Sequence, residues 1–381
     1  APRLVCSMKG NSFLSVLRHV IAAVSLTVTV ACSTADKDVR QYGLSDREVN
    51  FSAELQDVCF TKGQIPLTNS NLFTMGVFAG YEEDESFGPT SPANDFINNV
   101  RYTRSFITNP FAGGDVCYWP FSGKLSFFAY APYVSNTYLQ FSSSYVSGYP
   151  VMNYSPTTNV SEQPDLCLAS PVLDRHSTIE PIPLVFNHSL TQVLFSANYT
   201  GRMPDVSADL YIKVDSIRIC NIIGRKNVSM SNGNPCFEWQ ADNTCSVDDR
   251  TSYLMDRTMN HQIRDLAVPR VTEPLSDNFL ELTSVNSVAN GVMYLLPQSM
   301  NYADAYLQVT YGYYEMIGAT ETLRASVTTR CNLPAVTWEP AHAYRYKFTI
   351  NLATSSIVNP IVSVEAWSDI DNTQSDPIHI E

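Results

Sequence analysis

The side chains able to do chemistry are few and scattered. Six histidines stand at His19, His176, His188, His261, His342 and His379. No HExxH, GxSxG, P-loop or GxGxxG pattern occurs. Metal hydrolysis, acyl transfer and phosphate binding each need their groups at fixed spacing on one element, so none of them has a motif behind it. His188 sits among the apolar residues of a strand pattern and reads as a packed or surface histidine. The acidic run Glu82 to Glu85 lacks the alternating Asp/Asn spacing of a calcium loop and reads as a solvated turn. Asp369 and Asp371 alternate like metal ligands, but the glycine and glutamate that complete a calcium loop do not follow them. The expectation is a non-enzyme, with no catalytic residue, no cofactor and no metal.

Nine cysteines remain to be placed. With Cys6 and Cys32 set aside, Cys59, Cys117, Cys167, Cys220, Cys236, Cys245 and Cys331 are left, an odd set that cannot pair completely. No CxxC pair or Cys/His spacing points to zinc. Cys236 and Cys245 flank the polar stretch FEWQADNT and could close a short loop; buried free thiols are the other reading.

Cys32 is the cysteine with a chemistry of its own. Met8 and Lys9, with Arg18 and His19, form a positive n-region, and Val20 to Val30 is an uncharged apolar run. That run suits a signal-peptide core and falls short of the ~20 residues needed to cross a bilayer. Thr29, Val30 and Ala31 then precede Cys32, which resembles a bacterial lipobox. The resemblance implies diacylation of Cys32, cleavage after Ala31, and anchoring by several acyl chains at ~0.8 kcal/mol per buried methylene. Met8 is the better start, so residues 1–7 read as upstream translation, and the mature chain runs from Cys32 to Glu381.

The rest of the chain must be built from strands. Aromatics make up 11% and charged residues only 16%, a balance that suits a secreted β protein. The formal net charge of −13 argues against a nucleic-acid partner, because a polyanion repels a polyanion. Val49, Phe51, Ala53 and Leu55 alternate with Asn50, Ser52, Glu54 and Gln56, which predicts a half-buried strand. Further strands are expected over 124–132, 184–200, 209–222, 305–316, 343–353 and 361–367. Phe127, Phe195, Tyr346 and Phe348 should be buried in them. The prolines around 165–183 suggest a boundary, because proline breaks ladders and stiffens linkers. This gives a signal and upstream segment at 1–31, a tether at 32–46, a first domain at 47–170, a linker at 171–183 and a second domain at 184–381.

The stretch Val116 to Tyr133, VCYWPFSGKLSFFAYAPY, resembles the signature of the fimbrillin family, the Mfa-like subunits of type V pili in Bacteroidota. VNFSAEL, PDLCLAS, PLVFNHSLTQVLFSA, WEPAHAYRYKFTINL and IVSVEAW add matches along the chain. The resemblance implies an all-β chain of two tandem transthyretin-like β-sandwiches behind a lipoprotein signal. It also implies a lipid-anchored precursor on the outer membrane and cell surface. Its partners would be other fimbrillin subunits, the outer membrane through the acyl chains, and a host or bacterial surface ligand for adhesion. In such subunits a protease removes the first strand, and the vacated groove takes a strand from a neighbour. Here the removable strand would be Val49 to Leu55. Processing would fall at Lys62 or, as the alternative, at Arg47, which precedes the strand. The donor strand would include Ile361, Val362, Val364 and Trp367. Stalk, tip and anchor roles all stay open. A reading of another class is a surface glycan-binding lipoprotein that uses its aromatic residues for stacking.

Overall fold

The computed structural model describes residues 43–56, 67, 69–93, 95–113, 116–134, 139–202, 210–256, 279–282, 292–301 and 304–367. The signal segment, Cys32 and Lys62 lie outside them. Among the described residues there is no α-helix; helical backbone is confined to three short 3-10 turns, at Val160–Glu162, Asp242–Thr244 and Val247–Asp249. The all-β expectation holds.

Among the described residues, twenty-three strands form five sheets. The smallest pairs β1 (Leu44–Glu48) with β6 (Tyr118–Pro120). The largest has eight strands: β2 (Phe51–Leu55), β3 (Thr74–Glu82), β4 (Ile97–Thr103), β5 (Ala112–Gly113), β7 (Lys124–Ala131), β10 (Cys167–Ala169), β11 (Val172–Arg175) and β12 (Ile182–His188). Its order is β2-β12-β10-β7-β3-β4-β5, with β11 also on β7. A four-stranded sheet holds β8 (Leu139–Val146), β9 (Tyr149–Tyr154), β15 (Lys226–Met230) and β16 (Phe237–Trp239). A second holds β14 (Leu210–Ile223), β17 (Arg250–Asp256), β20 (Tyr306–Ile317) and β21 (Thr320–Asn332). The fifth sheet holds β13 (Thr191–Thr200), β18 (Leu280–Glu281), β19 (Met293–Leu295), β22 (His342–Asn351) and β23 (Ser356–Ala366).

Period two decides how these sheets stack. In β7, Leu125, Phe127, Ala129 and Ala131 enter one apolar core with Phe51, Trp119 and Phe186, while Phe128 and Tyr130 enter another on the opposite face. A strand covered on both sides loses its polar alternation, as β7 does from Phe127 to Ala131. Gly76 faces Tyr130 across the β3–β7 ladder, and a Cβ there would lie 2.2 Å from the tyrosine ring. β13 repeats the arrangement: Val193, Phe195 and Ala197 face a third core with Tyr346 and Phe348, and Leu194 faces the core of Phe128 and Tyr130. Phe127, Phe195, Tyr346 and Phe348 are all buried, as their strand positions predict.

Three expectations are corrected. Residues 171–183 are not a linker: they hold β11 and the start of β12, both hydrogen-bonded into the eight-stranded sheet. The run 184–200 is not one strand. It breaks at Ser189–Leu190, and β12 and β13 join different sheets. The tether expected to reach residue 46 already holds β1 from Leu44 onward.

Candidate functional site

β2 lies at one end of the eight-stranded sheet, and its partner β12 runs parallel to it, in register from Phe51 opposite Ile182 to Leu55 opposite Phe186. The ladder is closed at its ends by Ile182 N–H donating to Asn50 O at 2.8 Å and Gln56 N–H donating to Phe186 O at 2.9 Å. Asn69 clasps the last residue of β2: Leu55 N–H donates to its Oδ1 at 2.6 Å, and its Nδ2 donates to Leu55 O at 3.4 Å. Val49, Phe51 and Leu55 are buried, whereas Ser52, Glu54 and Gln56 are exposed, matching the alternation in the sequence. The Phe51 ring meets Tyr102 and Phe127 edge-on, with centroids 4.9 and 5.5 Å apart. Two buried side chains, Phe51 and Leu55, at about 2 kcal/mol each make β2 a plug of ~4 kcal/mol on area grounds. The same groove would take another strand with apolar residues at alternate positions.

Arg47 is exposed within β1, N-terminal to β2, so a cut there would leave β2 in place. Lys62 and Cys32 both fall outside the described residues.

Three of the four donor residues lie in β23, an end strand of its own sheet paired antiparallel with β22. Ile361 and Val364 are about half exposed and Val362 is half-buried, opposite Lys347, Tyr344 and Tyr346 respectively. Trp367, just beyond β23, is different. It is 2% exposed and packs on His188 and Tyr294, at centroid distances of 4.6 and 5.7 Å.

Beneath Trp367 the fold joins residues that sequence spacing kept apart. Cys167 of β10 and His188 of β12 are cross-strand partners, and Asp165 precedes Cys167 by two residues. His188 Nδ1 lies 2.9 Å from Asp165 Oδ2 and 3.4 Å from Cys167 Sγ. All three residues are buried, and burial together with the neighbouring Asp165 carboxylate pushes the Cys167 thiol well up from its ordinary range. Asp165 Oδ2 also accepts the Leu67 N–H at 2.9 Å. This is not a relay triad: thiol and carboxylate address the same imidazole nitrogen, whereas proton relay needs one on each. The D-x-C spacing was visible as two side chains on one face of a strand. Its histidine partner required the β10–β12 register.

A family model described as fimbrillin-like matches residues 73–367. No curated protein matches the chain. Among solved structures, a fimbrial protein from Bacteroides vulgatus superposes with a TM-score of 0.58 at 16% identity, over 84% of this chain and 99% of that one. A candidate cell adhesion protein from Bacteroides ovatus gives a TM-score of 0.49 at 15% identity, over 87% and 100% of the two chains. A fimbrilin from Porphyromonas gingivalis gives 0.35 at 10%, over 86% and 99%. The likeness to the Bacteroides vulgatus protein, at 16% identity, concerns the fold alone.

Proposed function

The chain belongs to the fimbrillin-like family, and on that premise we propose that it is the lipid-anchored precursor of a cell-surface fimbria subunit that assembles by donor-strand exchange and serves adhesion. Cys32 carries the anchor to the outer membrane until the subunit is processed. A cut at Lys62 frees β2, and the groove against β12 then receives a strand from a neighbouring subunit. The observation that carries this reading is β2 itself: a short strand at the end of a sheet, held by main-chain bonds to one partner and by alternate apolar side chains. Val362 and Val364 of the neighbour, two residues apart on one face of the strand, would supply the alternate side chains, with Ile361 on the other face. Because Trp367 is packed into its own chain, donation from β23 would require that residue to be released.

The test is limited trypsin digestion of the purified precursor, followed by N-terminal sequencing and electron microscopy. Cleavage after Lys62 with growth of fibres is expected, and Lys62→Ala should block both. Fibres formed equally well by Lys62→Ala would remove this site, and cleavage there that yields only monomers would favour a subunit that caps the fibre.

A further inference from the structure

We propose that Asp165, Cys167 and His188 form a buried binding site for a thiophilic divalent cation of the zinc class. Three donors of three kinds converge: a carboxylate oxygen, a thiol sulfur and an imidazole nitrogen all lie within 4.8 Å of one another. Ligands around tetrahedral zinc, at ~2.0 Å for nitrogen and oxygen and ~2.3 Å for sulfur, stand roughly 3.2 to 3.6 Å apart. The contacts of 2.9 Å from Nδ1 to Oδ2 and 3.4 Å from Nδ1 to Sγ sit close to that spacing.

Hydrogen bonding leaves part of the cluster unanswered. His188 Nδ1 carries at most one proton. If it donates to Asp165 Oδ2, it has no lone pair for the Cys167 thiol. If it accepts from the thiol, it turns that lone pair toward a carboxylate. The thiol's other acceptor, Asp165 O, is 3.7 Å away. Asp165 Oδ1, also buried, accepts no hydrogen bond among the described residues. A buried carboxylate with an unused oxygen is costly. A dication resolves these conflicts together. Cys167 gives up its thiol proton to solvent on binding, His188 coordinates as neutral imidazole, and thiolate plus carboxylate balance the two positive charges.

The surroundings are those of an outer shell. The Leu67 N–H fixes Asp165 Oδ2 at 2.9 Å, and Trp367 covers the imidazole ring. Tyr294 is also buried, its ring centroid 5.7 Å from that of Trp367. The donors come from β10, its lead-in residue and β12, so a bound ion would tie together the two strands beside the one that β2 occupies.

The experiment is refolding of the purified precursor from urea with Co(II) or Zn(II) present, since a site this deeply buried fills as the chain folds. With Co(II), wild-type protein should show thiolate-to-metal charge-transfer absorption and the visible bands of a tetrahedral ion. With Zn(II), it should retain one equivalent after desalting. Cys167→Ser and His188→Ala should each weaken binding by about a hundredfold or more, and Cys236→Ser should bind as wild type does. X-ray absorption on the wild-type zinc form should show one sulfur among nitrogen and oxygen neighbours, a readout that needs no variant to fold. Wild-type protein that refolds without retaining metal overturns the site. So does metal whose first shell lacks sulfur, or metal that Cys167→Ser retains in full.

Discussion

Removing the ring of Phe51 should weaken the precursor and leave the assembled fibre untouched. Phe51 is 2% exposed and touches Tyr102 and Phe127 edge-on. Phe51→Ala leaves a cavity between these rings, and such truncations cost about 3–5 kcal/mol. The two edge-on contacts, at roughly 0.5–1.5 kcal/mol each, put it toward the upper end. With a urea m-value of about 2.5 kcal/mol/M, the transition that includes the eight-stranded sheet should move down by about 1.6–2 M. Circular dichroism on the uncut precursor would read this, and Ser52→Ala, on the exposed face of β2, should shift it by no more than ~0.5 kcal/mol. If the proposed cut at Lys62 removes β2, Phe51 is gone from the assembled subunit, so fibres from Phe51→Ala and wild-type precursors should dissociate at the same urea concentration. Phe127→Ala lies in the wall of the groove and should weaken precursor and fibre alike. If fibres from Phe51→Ala carry the same penalty as the precursor, β2 is not the strand that is exchanged.

Asn69→Ala removes both side-chain hydrogen bonds to Leu55; it should cost about 1–2 kcal/mol and hasten cleavage of the precursor by trypsin, read by gel. Cys32→Ser should abolish labelling by a palmitate analogue and release the protein from membranes; unchanged labelling would refute the anchor. Burial pushes the Cys331 thiol up to about 11. At pH 8 only about one part in a thousand is thiolate, so Cys331 should stay unmodified by iodoacetamide in folded protein and react at once in urea, as mass spectrometry would show.

β2 was legible because a single buried face imposes strict alternation, and Val49, Phe51 and Leu55 obey it. Segment 171–183 was not, because its prolines suggested a break. Pro183 sits inside β12, between β2 and β10 in the sheet order, opposite Ser52. Its tolerance there is geometric. Ile182 directs its N–H to Asn50 of the β2 side, so the ring nitrogen of the next residue points the other way. There β10 is too short to need a donor, since it pairs only with Phe186 to His188. The split of 184–200 was hidden for a related reason: β12 and β13 are both apolar and nearly contiguous, and only their partners tell them apart. The cluster of Asp165, Cys167 and His188 was invisible in spacing because its third member arrives through cross-strand register.

The core that holds Phe78, Phe128 and Tyr130 also holds Leu194, Tyr294 and Trp367. Strands on either side of the β12–β13 turn therefore share one interior. Flexing one part of the chain against the other would open that interior to water, at about 25 cal/mol for each square ångström of apolar surface uncovered. Each subunit is thus a stiff segment without an elbow. If such segments join through one shared strand, as proposed, a filament strung from them would bend and yield at the joints between molecules long before it yielded within them.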